Sequence, residues 1–217
     1  MKVYISSTYR DLHRHRLAVA TVLRRMGHQP VGMEEQVAEG ARLLYRCLAD
    51  VKACDAYVCI IAWRYGFVPS DAGGDNTPLP KGTSLGSTSI TEFELRQAID
   101  AEKPVLVFLL DSEAEWSSHQ FDAVSGDGEQ GKAIFRLREE VSGQYVVSHF
   151  RTPEELASLV SAAVYRVEMS RQIRLESLRI EVRFNKPFIR KGPVADSSLR
   201  KIKDVISGPQ EVQALQN

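Results

Sequence analysis

Three short stretches of this sequence carry side chains able to act together on one small molecule: Ser6-Ser7-Thr8-Tyr9-Arg10-Asp11, Trp63-Arg64-Tyr65-Gly66 and Ser89-Ile90-Thr91-Glu92-Phe93-Glu94. Hydroxyls beside the free N–H groups of a helix start can hold a phosphate. Arg64 can pair with one, and Trp63 or Tyr65 can offer an aromatic face to a base. With Ser6, Ser7, Thr8, Gly66 and Glu92 as further binding groups, the set is nucleotide-shaped. Each residue also has a structural role open to it. Ser7 and Asp11 can cap the first helix, Trp63 and Tyr65 can close the edge of a core, and Arg64 can pair with an acidic neighbour. Ser89 and Glu92 have capping-box spacing, which gives Glu92 an ordinary task.

For these stretches to meet, the elements before them must run side by side. Lys2 to Ser6 is β-rich and ends in a polar turn, after which Leu12, Val19, Leu23 and Met26 recur at helical spacing up to Gly27. A short strand is expected from Gln29 to Met33 and a helix from about Ala41 to Lys52. The apolar block Ala56 to Ala62 is continuous rather than alternating, as in a strand covered on both faces. From Trp63 to Thr88 glycine and proline recur too often for regular structure. A helix from Ser89 to about Glu102 precedes the buried strand Val105 to Leu110. An irregular stretch, Asp111 to Gly131, leads to a helix near Lys132 to Val141 and a fifth strand at Tyr145 to Phe150. Thr152-Pro153-Glu154-Glu155 opens a long helix, and the alternation of Ile180, Val182 and Phe184 reads as an edge strand over Leu178 to Ile189. Five strands alternating with helices imply an α/β fold: a doubly wound parallel sheet, flavodoxin-like, of strand order 2-1-3-4-5. Its crevice lies outside the carboxyl ends of the strands, where the three stretches emerge.

The chain of 217 residues suits one α/β domain, residues 1–164, followed by a helical extension and linker-like tail over 165–217. Its 28 basic and 28 acidic residues balance, so no net field draws it to nucleic acid or an anionic membrane. The tail from Tyr165 is nonetheless basic, with 11 basic against 6 acidic residues. Cys47, Cys54 and Cys59 read as reduced core thiols rather than a disulfide framework. With no signal-peptide pattern and no apolar run of spanning length, the expected location is the cytoplasm. Gly126 to Lys132 has phosphate-loop spacing, but Ala133 replaces the magnesium-binding hydroxyl, and a flexible loop is expected. His13 and His15 fall on different faces of a helix, and no metal is expected.

The ordered pieces Val3-Tyr-Ile-Ser-Ser-Thr-Tyr-Arg-Asp-Leu12, Val51-Lys-Ala-Cys-Asp-Ala-Tyr-Val58, Arg64-Tyr-Gly66, Ser89-Ile-Thr-Glu-Phe-Glu94 and Lys103-Pro-Val-Leu-Val-Phe108 resemble domain of unknown function family four thousand and sixty-two over roughly residues 2 to 160. That family resembles TIR domains and nucleoside deoxyribosyltransferases, and its members often precede NACHT-type or other signalling ATPases. The resemblance implies a TIR-like effector in immune or antiphage defence. Phe93-Glu94-Leu95 is similar to the pattern in which a glutamate at this helix start is catalytic, so Glu94 is the expected catalytic residue. Cleaving an N-glycosidic bond develops positive charge on the ribose, which a carboxylate beneath it stabilises. From NAD the nicotinamide leaves as a neutral ring, and one carboxylate suffices. The Trp-Cys pair that TIR enzymes carry before this glutamate is missing, and Arg96 stands where the transferases have glycine. The expectation is an NAD or nucleotide N-glycosidase without a cofactor, its partners being a small nucleotide and either further copies of itself or an ATPase. The alternatives are a non-catalytic module that self-associates or docks on such an ATPase and, third, a nucleoside deoxyribosyltransferase. As a bland alternative, Glu94 is a solvated helix glutamate.

Overall fold

Five short parallel strands lie in the order expected from the alternation of apolar runs: β2-β1-β3-β4-β5. The computed structural model describes residues 1–32, 43–70, 78–122 and 128–184, with side chains as far as 177. The strands are β1 (Lys2–Ser6), β2 (Gln29–Val31), β3 (Ala56–Ile61), β4 (Val105–Leu110) and β5 (Ser148–Phe150). Between and after them run α1 (Tyr9–Arg25), α2 (Leu43–Ala53), α3 (Ile90–Asp100), α4 (Gly128–Gln144) and α5 (Pro153–Phe184). The register sets Ser6 opposite Cys59 and Cys59 opposite Val107, so β1, β3 and β4 end on one shared edge.

Side-chain alternation along the strands makes two cores. Val3, Ile5, Val58, Ile60, Phe108 and Leu110 face Leu12, Val19 and Leu23 of α1 and Leu156, Val160 and Val164 of α5. Tyr4, Tyr57, Cys59, Ile61, Val107 and Leu109 face Val51 of α2, Leu95 and Ala98 of α3, and Ile134, Leu137 and Val141 of α4. Every residue of β3 is buried, which explains why that run lacks polar alternation. A third cluster joins Leu44, Cys47 and Leu48 of α2 to Ile90 and Phe93 of α3. Cys47, Cys54 and Cys59 are buried thiols outside any disulfide, and burial pushes the Cys59 thiol up to about 12. Among the described residues no helix is long and apolar enough to cross a membrane.

The chain divides into a compact unit, Met1–Ile173, and a second, Arg174–Asn217. Three local expectations differ from the structure. The strand expected from Leu178 is helical as far as Phe184, because a helix already formed adds one hydrogen bond per residue whereas a lone strand needs a sheet to join. The rest of that stretch and the linker from Arg190 lie outside the described residues, as do Met33, Ala41 and Arg42 of the earlier elements. Helix α4 begins at Gly128, so the part of the glycine-rich stretch from Gly128 to Lys132 is helical, not loop; Gly126 lies outside the described residues. At its other end the Tyr145 N–H still bonds the Val141 carbonyl at 2.9 Å, which shortens β5 to Ser148–Phe150.

Candidate functional site

Alternation along β1 turns Tyr4 and Ser6 toward α3, and α3 turns Glu94 toward them. The Tyr4 hydroxyl donates to Glu94 Oε1 at 2.7 Å and the Ser6 hydroxyl to Oε2 at 2.5 Å. Glu94 is 2% exposed, so it is not the solvated glutamate of the bland alternative. Helix α3 is placed by Ser89, whose side chain accepts from the Glu92 N–H. Burial pushes the Glu94 carboxyl above the ordinary carboxylate range, against the lowering effect of the Ser6 and Tyr4 hydroxyls and the Arg16 guanidinium. Burial and the Glu94 charge together raise the Tyr4 phenol, which stays a donor.

Arg16 is 1% exposed. It donates to the Ile5 carbonyl at 3.0 Å and to Ser7 Oγ at 2.9 Å, bracing the end of β1 from the opposite core. Ser7 Oγ in turn donates to the Thr8 carbonyl at 2.9 Å. Ser7 therefore neither caps α1 nor offers a free hydroxyl, and Ser6 spends its hydroxyl on Glu94. Thr8 occupies the N-cap position of α1 without a capping bond. Asp11, expected to cap, sits in the first turn of α1 with both carboxylate oxygens buried and lacking a hydrogen-bond partner.

The second carboxylate of α3 has a different life. Glu92 does not close a reciprocal capping box. Its Oε2 accepts from the Tyr65 hydroxyl at 2.5 Å and from Arg136 at 2.6 Å, and its Oε1 accepts from Arg96 at 2.9 Å. Arg96 also makes a two-pronged pair with Glu140, at 2.5 and 2.7 Å. A carboxylate this deep draws cations in preference to the single N–H of its own helix cap; Arg96 comes from one turn further along α3 and Arg136 from α4.

The β3 loop holds the frame. Tyr65 is 2% exposed and its hydroxyl, which donates to Glu92, lies 3.2 Å from the Ser87 carbonyl, so it shows no face to a ligand; burial and Glu92 push the phenol up to about 12. The Trp63 ring stacks on Phe121 at 5.3 Å and carries the Arg138 guanidinium 3.9 Å from its centroid. Arg138 donates to the carbonyls of Ile61, Ala62 and Leu110 at 3.2, 3.1 and 2.8 Å, and burial pulls its pKa down to about 10. Trp63 is thus a core-edge aromatic whose ring the chain itself occupies, the structural alternative rather than the ligand-stacking one. Asp122 accepts from the Tyr65 N–H at 2.6 Å and pairs with Arg64 at 3.6 Å, the acidic neighbour foreseen for Arg64. Gly66 has φ +93°, and a Cβ there would lie 3.0 Å from Thr8 Cγ2 and 3.7 Å from Thr91 Oγ1. Its lack of a side chain lets the β1 and β3 loops meet the first turn of α3.

Of the expected residues, then, Ser6 and Glu94 come together directly, Thr8, Gly66 and Thr91 pack beside one another, and Glu92 with Tyr65 forms a separate ionic network. Sequence reasoning missed Tyr4, Arg16, Asp122 and Arg138. Two carried a readable signal: Tyr4 lies two residues before Ser6 on one strand face, and Arg16 stands at a core position between Leu12 and Val19.

The family model described as Domain of unknown function (DUF4062) matches residues 2–165. Among solved structures, the Clostridium botulinum CMP N-glycosidase BcmB aligns with a TM-score of 0.40 and 10% identity, over 76% of this chain and 99% of that one.

Proposed function

We propose that this chain, which belongs to the family described as Domain of unknown function (DUF4062), cleaves the N-glycosidic bond of a nucleotide, with Glu94 as its catalytic carboxylate and NAD as the candidate substrate. One observation carries the reading: a carboxylate 2% exposed, held from two sides by the Tyr4 and Ser6 hydroxyls, at the carboxyl edge where doubly wound sheets take ligands. A negative charge fixed in a site of low dielectric does most where positive charge develops, as it does on a ribose losing its base. In the proposed reaction the C1′–N bond breaks, its electron pair leaves with the base, and water adds to C1′ and releases a proton. Nicotinamide departs neutral, so no second acid is needed. Thr8 and Arg64 are the expected phosphate contacts, since the Ser7 hydroxyl is committed to Arg16 and the backbone.

Glu94 is closed over in the single chain, and the proposal places turnover in an opened or self-associated state. Concentrated protein, with and without a crowding agent, is incubated with NAD, NADP, CMP and deoxynucleosides, and base release is followed by chromatography. Wild type is expected to release base and Glu94→Gln to lose at least a hundredfold of that rate. Equal rates for the two, or no release from any substrate in the self-associated state, would remove the proposal. A second reading, a non-catalytic module that associates with its own kind or with a signalling ATPase, has one observation in its favour: Tyr165, Met169 and Ile173, spaced by four on α5, are 55, 37 and 60% exposed. Self-association without base release would support it.

A further inference from the structure

Across the sheet from Glu94, on the α1 and α5 side, the same carboxyl edge holds a second concavity. A cleft of about 890 Å³ lies between the first turns of α1, the segment after β4 and the start of α5. Its deep wall carries three groups whose hydrogen-bonding capacity the protein leaves unused. Both oxygens of Asp11, both ring nitrogens of His15 and Nε1 of Trp116 are buried without a partner. Asp11 is 8% and His15 6% exposed. Buried polar groups in a folded protein are nearly always bonded, and leaving one unmade costs about 1–3 kcal/mol. Several such groups lining one cleft mark a place where something else supplies the partners.

The lip of the cleft carries charge of both signs, Glu113 and Glu115 on the segment after β4 and arginines on α1. Arg10 and Arg14 stand one helical turn apart on α1, are exposed, and make no ion pair among the described residues. Arg10, Asp11, Arg14 and His15 interleave two pairs of i,i+4 neighbours, so one face of α1 presents guanidinium groups at the rim and a carboxylate and an imidazole beneath. His15 packs at 5.6 Å from the Trp116 ring and 5.3 Å from Phe150, which fixes its plane. Arg151, across the cleft, is spent on Asp111 and Glu113.

We infer that this cleft is a second ligand site, distinct from the Glu94 site, which takes a phosphorylated ribose: Arg10 and Arg14 hold the phosphate, Asp11 accepts from sugar hydroxyls, and His15 and Trp116 Nε1 supply the deep polar contacts. Phosphate suits a pair of exposed guanidinium groups, and sugar hydroxyls suit the buried Asp11 carboxylate, whose oxygens make no full hydrogen bond although the Thr8 hydroxyl and Arg64 lie near it. Burial keeps the His15 imidazole below its ordinary range and hence neutral near pH 7, with one donor and one acceptor nitrogen for a hydroxyl or ring edge. The inference does not depend on Glu94 being catalytic.

Calorimetric titration of the full chain with ribose 5-phosphate, AMP and inorganic phosphate tests it. Wild type binds ribose 5-phosphate and AMP. The double variant Arg10→Gln/Arg14→Gln, both exposed positions, weakens both by roughly tenfold or more. Asp11→Asn weakens the two ribose ligands but not inorganic phosphate. Tighter binding of AMP than of ribose 5-phosphate assigns the site to a nucleotide, and equal binding assigns it to a sugar phosphate. His15 ring signals, followed by NMR in wild type, shift on addition of ribose 5-phosphate. The inference is overturned by no binding at millimolar ligand, by His15 signals that stay in place, or by binding that survives the arginine changes.

Discussion

Replacing Glu94 by Gln should make the protein more stable at neutral pH, and the gain should vanish in acid. The side chains are nearly the same size. The amide oxygen can keep the Tyr4 bond and the amide nitrogen can donate to Ser6, so the 2.7 and 2.5 Å contacts keep their positions. What changes is charge. Two charge-assisted bonds become neutral ones, a loss of roughly 1–3 kcal/mol in all. Against that, the variant no longer buries an ionised carboxylate, whose penalty in a protein interior is on the order of several kcal/mol. Burial outweighs the hydroxyls and Arg16 in setting the Glu94 proton affinity, so the second effect is the larger. The expected net gain is about 1–2 kcal/mol, or roughly 2–8 °C in Tm for a unit of this size. Because the folded-state pKa is raised, the Glu94 contribution to wild-type stability is full below the unfolded value of about 4.3 and is lost as pH rises through the folded value. Thermal unfolding of both proteins by circular dichroism between pH 4 and 8 should show the curves together at the acid end and parting upward. A variant less stable than wild type at pH 7.5, or a gap that ignores pH, would refute this reasoning and make Glu94 a stabilising core group.

Other substitutions probe the same frame. Tyr4→Phe removes the donor to Oε1 and one of the influences holding the Glu94 pKa down; it should cost about 1–3 kcal/mol in urea unfolding and move the fall of stability with pH upward. Gly66→Ala must place a Cβ at φ +93° and 3.0 Å from Thr8 Cγ2, and a loss of roughly 1–2 kcal/mol or more is expected in a thermal melt. Arg138→Met leaves the Ile61, Ala62 and Leu110 carbonyls without this donor and the Trp63 ring without its cation, and should lower the urea midpoint by an amount worth about 3 kcal/mol, with a change in Trp fluorescence.

The order of the strands and the position of the crevice were legible because both follow from local patterns. The continuous apolar block of β3 demands cover on both faces, parallel strands demand helical crossovers, and Ser89 announces the start of α3. Glu94 could be singled out by its place after that cap. Its partners could not be chosen with the same security. Tyr4 and Ser6 lie far from it in the chain, and only the register of β1 beside β3 and the packing of α3 on that sheet bring their hydroxyls to one carboxylate. Glu92 and Ser7 took partners that the sequence does not show, and Trp63 and Tyr65 took the core-edge role rather than a ligand-facing one, for one reason. Sequence shows what a side chain can bind, but buried polar groups take the partners that tertiary packing delivers, and here α4 delivered Arg96's partner Glu140 along with Arg136 and Arg138, while α1 delivered Arg16. The amphipathic periods determined which residues would be inside. Which charge would meet which, across two cores and a sheet, was decided by the fold, because electrostatic pairing depends on distance in space and the chain fixes only distance along itself.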